Sequence, residues 1–365
     1  MQTSFEDRER FVEQNIHEIL DSAQNPLSGR GWWKSAESPW QCLAACFEYF
    51  EALRNPNPSK FISFLPIHAD GSCNGLQHYA ALGRDEEGGK SVNLIPCETP
   101  QDVYSYVLGE VVKQLKVESS NENSPARYLV DNLTRKTVKQ TVMTFVYGVT
   151  ISGARRQIRS QLEQLQIIPQ SELQAVSDYL TRLTIATMEN MFTSAREIMK
   201  WLSDCARTVG RISQPIAWNS PLGFPVEQPY RRPGKFAIKT SLQQIVLVSE
   251  DSEELPVLVQ KQKAAFPPNF IHSLDSTHML HTAKKCIGQG ITFAAVHDSF
   301  WTHAGTMDQM NSLLRDSFVS LHESPILEEL LHQLQTQYPD LQFRPIPKRG
   351  NLHLDAVRSS KYFFH

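Results

Sequence analysis

Apolar residues at Phe5, Phe11, Val12, Ile16, Ile19 and Leu20 recur at helical spacing and predict a helix over residues 5–21. The stretch NPLSGRGWW reads as a loop by its Pro and Gly content, with Gly31–Trp33 as a packing corner. Pro39 opens a second helix to about Leu53, and NPNP stops it. KFISFLPIHAD is a strand-like run ending on Asp70, after which GSCNGLQHYAALGRD resumes helical spacing. Residues 101–116 read as helix and VESSNENSP as a polar linker. Residues 127–148 predict one long helix stopped at Gly148, and residues 155–207 are mainly helical in pattern. The pattern changes at Ile216. PLGFPVEQPYRRPGKFAIKTSLQQIVLVSEDSEELPVLVQ is rich in Pro and β-branched residues and predicts one long β-hairpin with an acidic turn in its middle. Helix resumes after Pro267–Pro268, a buried strand is predicted over 291–296, and two more helices run to about Leu334. The sum is a helix-rich α+β chain with a few separated strands and no internal repeat.

The chain has 365 residues, 41% hydrophobic and 21% charged, long enough for roughly two or three subdomains. The net charge of −3 leaves no global basic surface, so a nucleic-acid groove would have to be local. The six cysteines are scattered, with Cys42 and Cys46 the closest pair and no CxxC knuckle, which points to reduced thiols in an intracellular compartment. No apolar run approaches the length of roughly 18 residues that a membrane span needs, so no membrane insertion is expected. MQTSFEDRERFVEQ is too acidic for a transit peptide. Either targeting is absent or the native start lies elsewhere.

Two carboxylates stand out. In FAAVHDSFW, Asp298 follows an apolar strand and His297 and precedes Phe300 and Trp301. A charge among apolar residues is costly unless paired. Asp70 also ends an apolar strand, and Gly71, Ser72 and Cys73 follow it with backbone carbonyls that can approach a cation. If the two strands are neighbours in one sheet, the aspartates converge, and two like charges held close need a cation between them. Hard oxygen ligands select Mg²⁺, which takes one or two carboxylates plus substrate phosphates. That is the two-metal arrangement of nucleotidyl transfer, with ions about 4 Å apart. The plainer alternative is that each aspartate caps a helix or turn, and for Asp70 capping and metal binding are compatible.

RKTVKQTVMTFVYG places Arg135, Lys139, Met143 and Tyr147 four residues apart. At a drift of about 40° per step, all four share a helix face about 120° wide. Two cations followed by an aromatic hydroxyl suit a nucleoside triphosphate, with phosphates on the cations and sugar and base beside the tyrosine. Val138, Val142 and Phe145 would pack inward. The alternative is a solvated basic face. His278 and His281 have a spacing that can bind zinc, but no HExxH or cysteine pair supports it, so packed histidines are expected. Arg155, Arg156 and Arg159 form either a solvated face or a hold on a phosphate backbone. No GxSxG turn supports a serine nucleophile.

DGSCNGLQHYAALGRDEEGGKSVNL, RKTVKQTVMTFVYGVT, PLGFPVEQPY, PPNFIHSLDSTHM and VHDSFWTH resemble, in this order, the single-subunit bacteriophage-like DNA-dependent RNA polymerases. GRGWW, RKTVKQTVMTFVYGVT and KYFF are most similar to the animal mitochondrial branch. The resemblance covers nearly the whole chain. It implies the palm and fingers of a right-handed polymerase with a small antiparallel palm sheet. Residues 1–98 would be palm with the first metal aspartate. Residues 99–266 would be fingers, with the nucleotide-binding helix and a specificity hairpin around 223–262. Residues 267–365 would end the fingers and complete the palm. Asp70 and Asp298 match the metal-binding aspartates, and Gly71 supplies a carbonyl ligand. Arg135 and Lys139 match the triphosphate-binding residues, with Lys139 catalytic, and Tyr147 the residue beside the incoming sugar. His272 matches the reader of the ribose 2′-hydroxyl, and His297 the histidine before the second aspartate. Phe363–His365 would tuck near the active site. Implied as well are two Mg²⁺ ions, a DNA template, an RNA transcript, NTPs, mitochondrial transcription factors and the mitochondrial matrix. The family's N-terminal domain, thumb and first palm segment have no counterpart. A related right-handed DNA polymerase and a non-catalytic nucleic-acid-binding fragment stay open as alternatives.

Overall fold

The computed structural model describes residues 3–119, 124–232, 234–240, 243–249 and 255–365. Helices α1 (Phe5–Gln14), α2 (Ile16–Gln24) and α3 (Pro39–Arg54) share a small core of Ile19, Ala23 and Cys46. The helix expected over 5–21 is split at Asn15. Its side-chain amide donates to the Phe11 carbonyl at 2.8 Å and competes with the helical ladder. Trp33 is buried in the predicted packing corner, its indole N–H donating to the Pro26 carbonyl at 3.0 Å.

Strand β1 (Pro66–Asp70) is only the end of the strand-like run. Phe64 and Ile62 before it are exposed. Helix α4 (Asn74–Gly83) follows and is buried on every side, so it is the central element of the molecule. Helices α5 (Glu86–Ser91) and α6 (Val103–Glu118) come next. The long helix expected over 127–148 begins later, as α7 (Arg135–Phe145), because Thr134 and Thr137 form a reciprocal capping box. Residues 125–128 make a separate 3₁₀ turn. The expected helical stretch is α8 (Ile151–Leu165), α9 (Leu173–Met191) and α10 (Thr193–Gly210).

The single hairpin expected after Ile216 is two ribbons. Strands β2 (Ala217–Asn219) and β3 (Pro225–Glu227) pair around a turn in which Gly223 takes φ 83°. Strands β4 (Gly234–Lys239) and β5 (Gln244–Ser249) pair separately. Pro229 lacks the N–H that a continuous ladder would need. The acidic segment 250–254 lies outside the described residues and follows β5 rather than dividing the hairpin.

Helix α11 (Val259–Gly288) starts before Pro267–Pro268 and runs through them, where sequence predicts a start after them. Pro268 has no N–H for the Ala264 carbonyl one turn back. That oxygen faces Gly148, where an added Cβ would lie 3.2 Å away. Gly148, at φ 71°, therefore lets the end of α7 approach α11 closely.

Strands β6 (Ala294–Val296) and β7 (Ser299–His303) are followed by α12 (Met307–Glu323) and α13 (Ile326–Gln337). One antiparallel sheet has the order β1-β7-β6. The strand expected to be buried, β6, is an edge strand with Val296 49% exposed. Burial falls on the central strand instead, at Phe300. One core cluster runs from Ala69 through α4 to Phe363 and Phe364. Among the described residues no helix is long and apolar enough to cross a membrane, and all six cysteines are free.

The C-terminus is stitched to the end of β1. The Gln77 amide donates to the Phe363 carbonyl at 2.9 Å, Gly71 bridges Phe364, and the His365 N–H donates to the Asp70 carbonyl at 3.1 Å. A Cβ on Gly71 would meet the Phe364 ring at 3.3 Å and the Gln77 side-chain oxygen at 3.2 Å. Gly71→Ala is therefore expected to destabilise the fold by about 1–3 kcal/mol through overpacking, read from the urea midpoint. An unchanged midpoint would show that this contact relaxes freely.

Candidate active site

Asp70 ends β1 opposite Ser299, the first residue of β7. Val296 also pairs with Ser299, so His297 and Asp298 are the two-residue turn between β6 and β7. The Gly71 N–H donates to the Asp298 carbonyl at 3.3 Å, which ties the two aspartates across the sheet. Asp298 is thus a turn residue rather than a strand end. Favoured two-residue turns require positive φ at their first position, and His297 takes φ 55°. For a residue with a Cβ this costs about 1–2 kcal/mol. The strain is held at the point where the carboxylate is presented.

All eight residues singled out from the sequence line one cleft of about 950 Å³. Helix α7 forms one wall. Val138, Val142 and Phe145 pack inward, as the pattern requires. Lys139 is exposed on the cleft side, and among the described residues no ion pair engages it. Arg135 is not free. Its fork holds Asp102 at 2.6 and 3.2 Å, and its guanidinium lies over the Tyr104 ring at 4.7 Å. Tyr147 falls just past the helix end, in the turn before Gly148, yet its ring still enters the cleft.

Helix α11 forms the facing wall. The His272 ring packs on Tyr147 with centroids 4.7 Å apart. One turn on, Asp275 also lines the cleft. Sequence reasoning passed over this residue. The available signal was a carboxylate four residues after buried Ile271 and next to buried Leu274, on the apolar face of the helix. Burial pushes the Asp275 carboxyl up to about 7, against the pull of His272. The Asp298 carboxyl is also raised, by burial first and then by the neighbouring carboxyl groups, Asp70 among them. Burial raises the Tyr147 hydroxyl too, so it stays protonated and able to donate.

Among the described residues no ion pair engages Asp70 or Asp298, and no group of three or more His, Cys, Asp or Glu is placed to hold a metal alone. Two carboxylates with the Gly71 backbone in the same cleft suit a hard cation that completes its shell with water and phosphate. They do not suit a dedicated protein cage. The residues fit Mg²⁺ brought with a nucleotide.

Three of the remaining candidates have partners within the fold. His278 is buried, with Nε2 2.8 Å from the Leu314 carbonyl, as expected of a packed histidine. Arg155 pairs with Asp178 at 2.8 Å and Arg159 with Glu163 at 2.9 Å.

A model of the family described as DNA-dependent RNA polymerase matches residues 1–342. The DNA-directed RNA polymerase 1, mitochondrial, of Nicotiana sylvestris is 49% identical over 369 residues, covering 99% of this chain and 36% of the relative. The corresponding mitochondrial protein of Arabidopsis thaliana is 48% identical, covering 99% of this chain and 38% of its own length. The DNA-directed RNA polymerase 3B, chloroplastic, of Nicotiana tabacum is 49% identical, covering 99% and 37%. These are plant organellar proteins, where three motifs pointed to the animal branch. The chain spans 36% to 38% of the length of these relatives. With four of its five matched motifs lining one cleft and nearly its whole length aligned to these proteins, the chain belongs to the single-subunit DNA-dependent RNA polymerase family.

Proposed function

We propose that this chain supplies the palm and fingers of an organellar, mitochondrial RNA polymerase. Residues 1–98 and 267–365 would be palm, and residues 99–266 fingers. The reaction is attack of the transcript 3′-hydroxyl on the α-phosphate of an NTP, with pyrophosphate leaving, on a DNA template. The observation that carries this reading is the convergence of Asp70, at the end of β1, and Asp298, in the β6–β7 turn, on one cleft opposite the cationic face of α7. Asp70 and Asp298, with the Gly71 carbonyl, would hold two Mg²⁺ ions. When bound, these supply activation of the hydroxyl and stabilisation of the leaving charge. Lys139 binds the triphosphate as a compact, mobile charge. Arg135 shares its guanidinium between Asp102 and the phosphates. Tyr147 and His272 flank the sugar, and His297 orders the turn that presents Asp298. Promoter choice would fall to mitochondrial transcription factors.

The test is nucleotide incorporation on a primed DNA template. Lys139→Ala should raise the KM for NTP and lower the rate, together about tenfold, for loss of a charged contact worth about 1.5 kcal/mol. Arg135→Ala should act in the same direction and also lower stability, because it takes the counter-ion from the partly buried Asp102. Unchanged NTP kinetics in both variants would return α7 to a solvated basic face.

A further inference from the structure

Asp275 is held by residues the proposed chemistry does not use. The Asn74 amide, at the start of α4, donates to Asp275 Oδ1 at 2.8 Å. His78, one turn further along α4, brings Nε2 to 2.9 Å from the same oxygen, off the line of a well-aligned hydrogen bond. His78 Nδ1 is 3.0 Å from His322 Nε2, and His322 Nδ1 is 2.9 Å from the Phe318 carbonyl on α12. Both imidazoles are fully buried, and burial depresses both, that of His78 to about 3.

The direction of this chain follows from proton counting. A carbonyl only accepts, so His322 carries its proton on Nδ1 and leaves Nε2 bare. His78 must then donate from Nδ1, which leaves its own Nε2 bare and facing Asp275. Two lone pairs at 2.9 Å would repel, so the proton between them belongs to Asp275. Burial favours that neutral carboxyl.

The same first turn of α4 also meets Tyr147. The Gly75 N–H lies at the tyrosine hydroxyl, and a Cβ on Gly75 would sit 3.0 Å from that oxygen. Asn74 thus grips α11 through Asp275 while Gly75 packs against the end of α7. Asp275 stands one helical turn from His272, whose ring packs on Tyr147.

We propose that Asp275 is a positioning residue for sugar recognition: through Asn74 and His78 it locks α11 to α4 and so sets where His272 and Tyr147 stand relative to Asp70. It acts as a neutral hydrogen-bonding group and not as a third metal carboxylate. This rests on the reading of Tyr147 and His272 as the sugar-facing pair.

The experiment measures kcat and KM for NTP and dNTP on one template, for the wild type and for Asp275→Ala, Asp275→Asn and Asn74→Ala. Asp275→Ala should narrow the NTP-over-dNTP ratio of kcat/KM about tenfold or more, since small misplacements at a reacting site have effects of this size. The loss should appear mainly as a raised KM for NTP, with dNTP use little changed. Asn74→Ala, which removes one donor only, should narrow the ratio in the same direction. With the Asn74 amide turned over, its otherwise unpartnered oxygen can accept, and one asparagine Nδ2 can donate both to it and to His78 Nε2, so Asp275→Asn should restore the ratio to within about threefold of wild type. If Asp275→Asn falls as far as Asp275→Ala, the group works as a charge and the proposal is overturned. Equal losses for NTP and dNTP, or no change in the ratio in Asp275→Ala, overturn it as well. A wild type without sugar preference would instead overturn the underlying reading of Tyr147 and His272.

Discussion

Asp298→Asn and Asp70→Asn should each reduce nucleotide incorporation by at least about a hundredfold, the loss of several kcal/mol of charge stabilisation, while leaving template binding largely intact. The two side chains are brought together by the β1–β7 register and the Gly71–Asp298 hydrogen bond. Among the described residues neither has a cationic partner. The Asp298 carboxyl is raised by burial first and then by its acidic neighbours, so a cation placed there would relieve both. An amide keeps the shape and removes the charge, so it cannot balance Mg²⁺ in the same way. Stability should hold or rise in the amide variants, because mutual repulsion between carboxylates is removed. A variant that keeps more than about a tenth of the wild-type rate, a loss under roughly 1.4 kcal/mol, would remove that residue from the set of primary ligands.

Tyr147→Phe should leave NTP incorporation near normal and raise dNTP incorporation, lowering the NTP-over-dNTP ratio of kcat/KM by about a hundredfold. NTP and dNTP carry the same triphosphate, so Lys139 and Arg135 cannot tell them apart. Discrimination requires a buried polar group that goes unpaired when the 2′-hydroxyl is absent. The Tyr147 hydroxyl meets that requirement. It is largely buried, it stays protonated, and it lies against Gly75 beside His272. Phenylalanine preserves the ring contact with His272 and deletes only the oxygen. His272→Ala should narrow the ratio too, mainly by weakening NTP use. A ratio within about twofold of wild type in Tyr147→Phe, roughly 0.4 kcal/mol, would make Tyr147 a packing residue.

Much of the site is legible in sequence because it is written in local rules. The four-residue spacing of Arg135, Lys139, Met143 and Tyr147 places all four on one cleft wall, since helical periodicity alone decides which side chains share a face. Asp70 and Asp298 are visible because a charge at the edge of an apolar run is conspicuous, whatever the fold. The resemblance of five motifs to the polymerase family matches the family to which the chain belongs.

Local rules fail where distant residues compete. Arg135 reads as a free phosphate ligand, but packing α6 against α7 gives it Asp102, a partner 33 positions away. The long hairpin divides and α11 runs through two prolines because neighbouring backbone groups reorganise around the missing N–H groups. His297 adopts a left-handed conformation only because β6 must turn back onto β7 within two residues.

By its own pattern, then, the chain determined its helical segments, its apolar faces and the chemical character of its cleft. These depend on neighbours within a turn or a strand. Only the tertiary structure decided that Asp70 and Asp298 line one cleft and that Asn74 meets Asp275 across 201 positions. It alone seated the C-terminus against Gly71. Such contacts are set by how buried surfaces fill space together, and no periodicity along the chain encodes them.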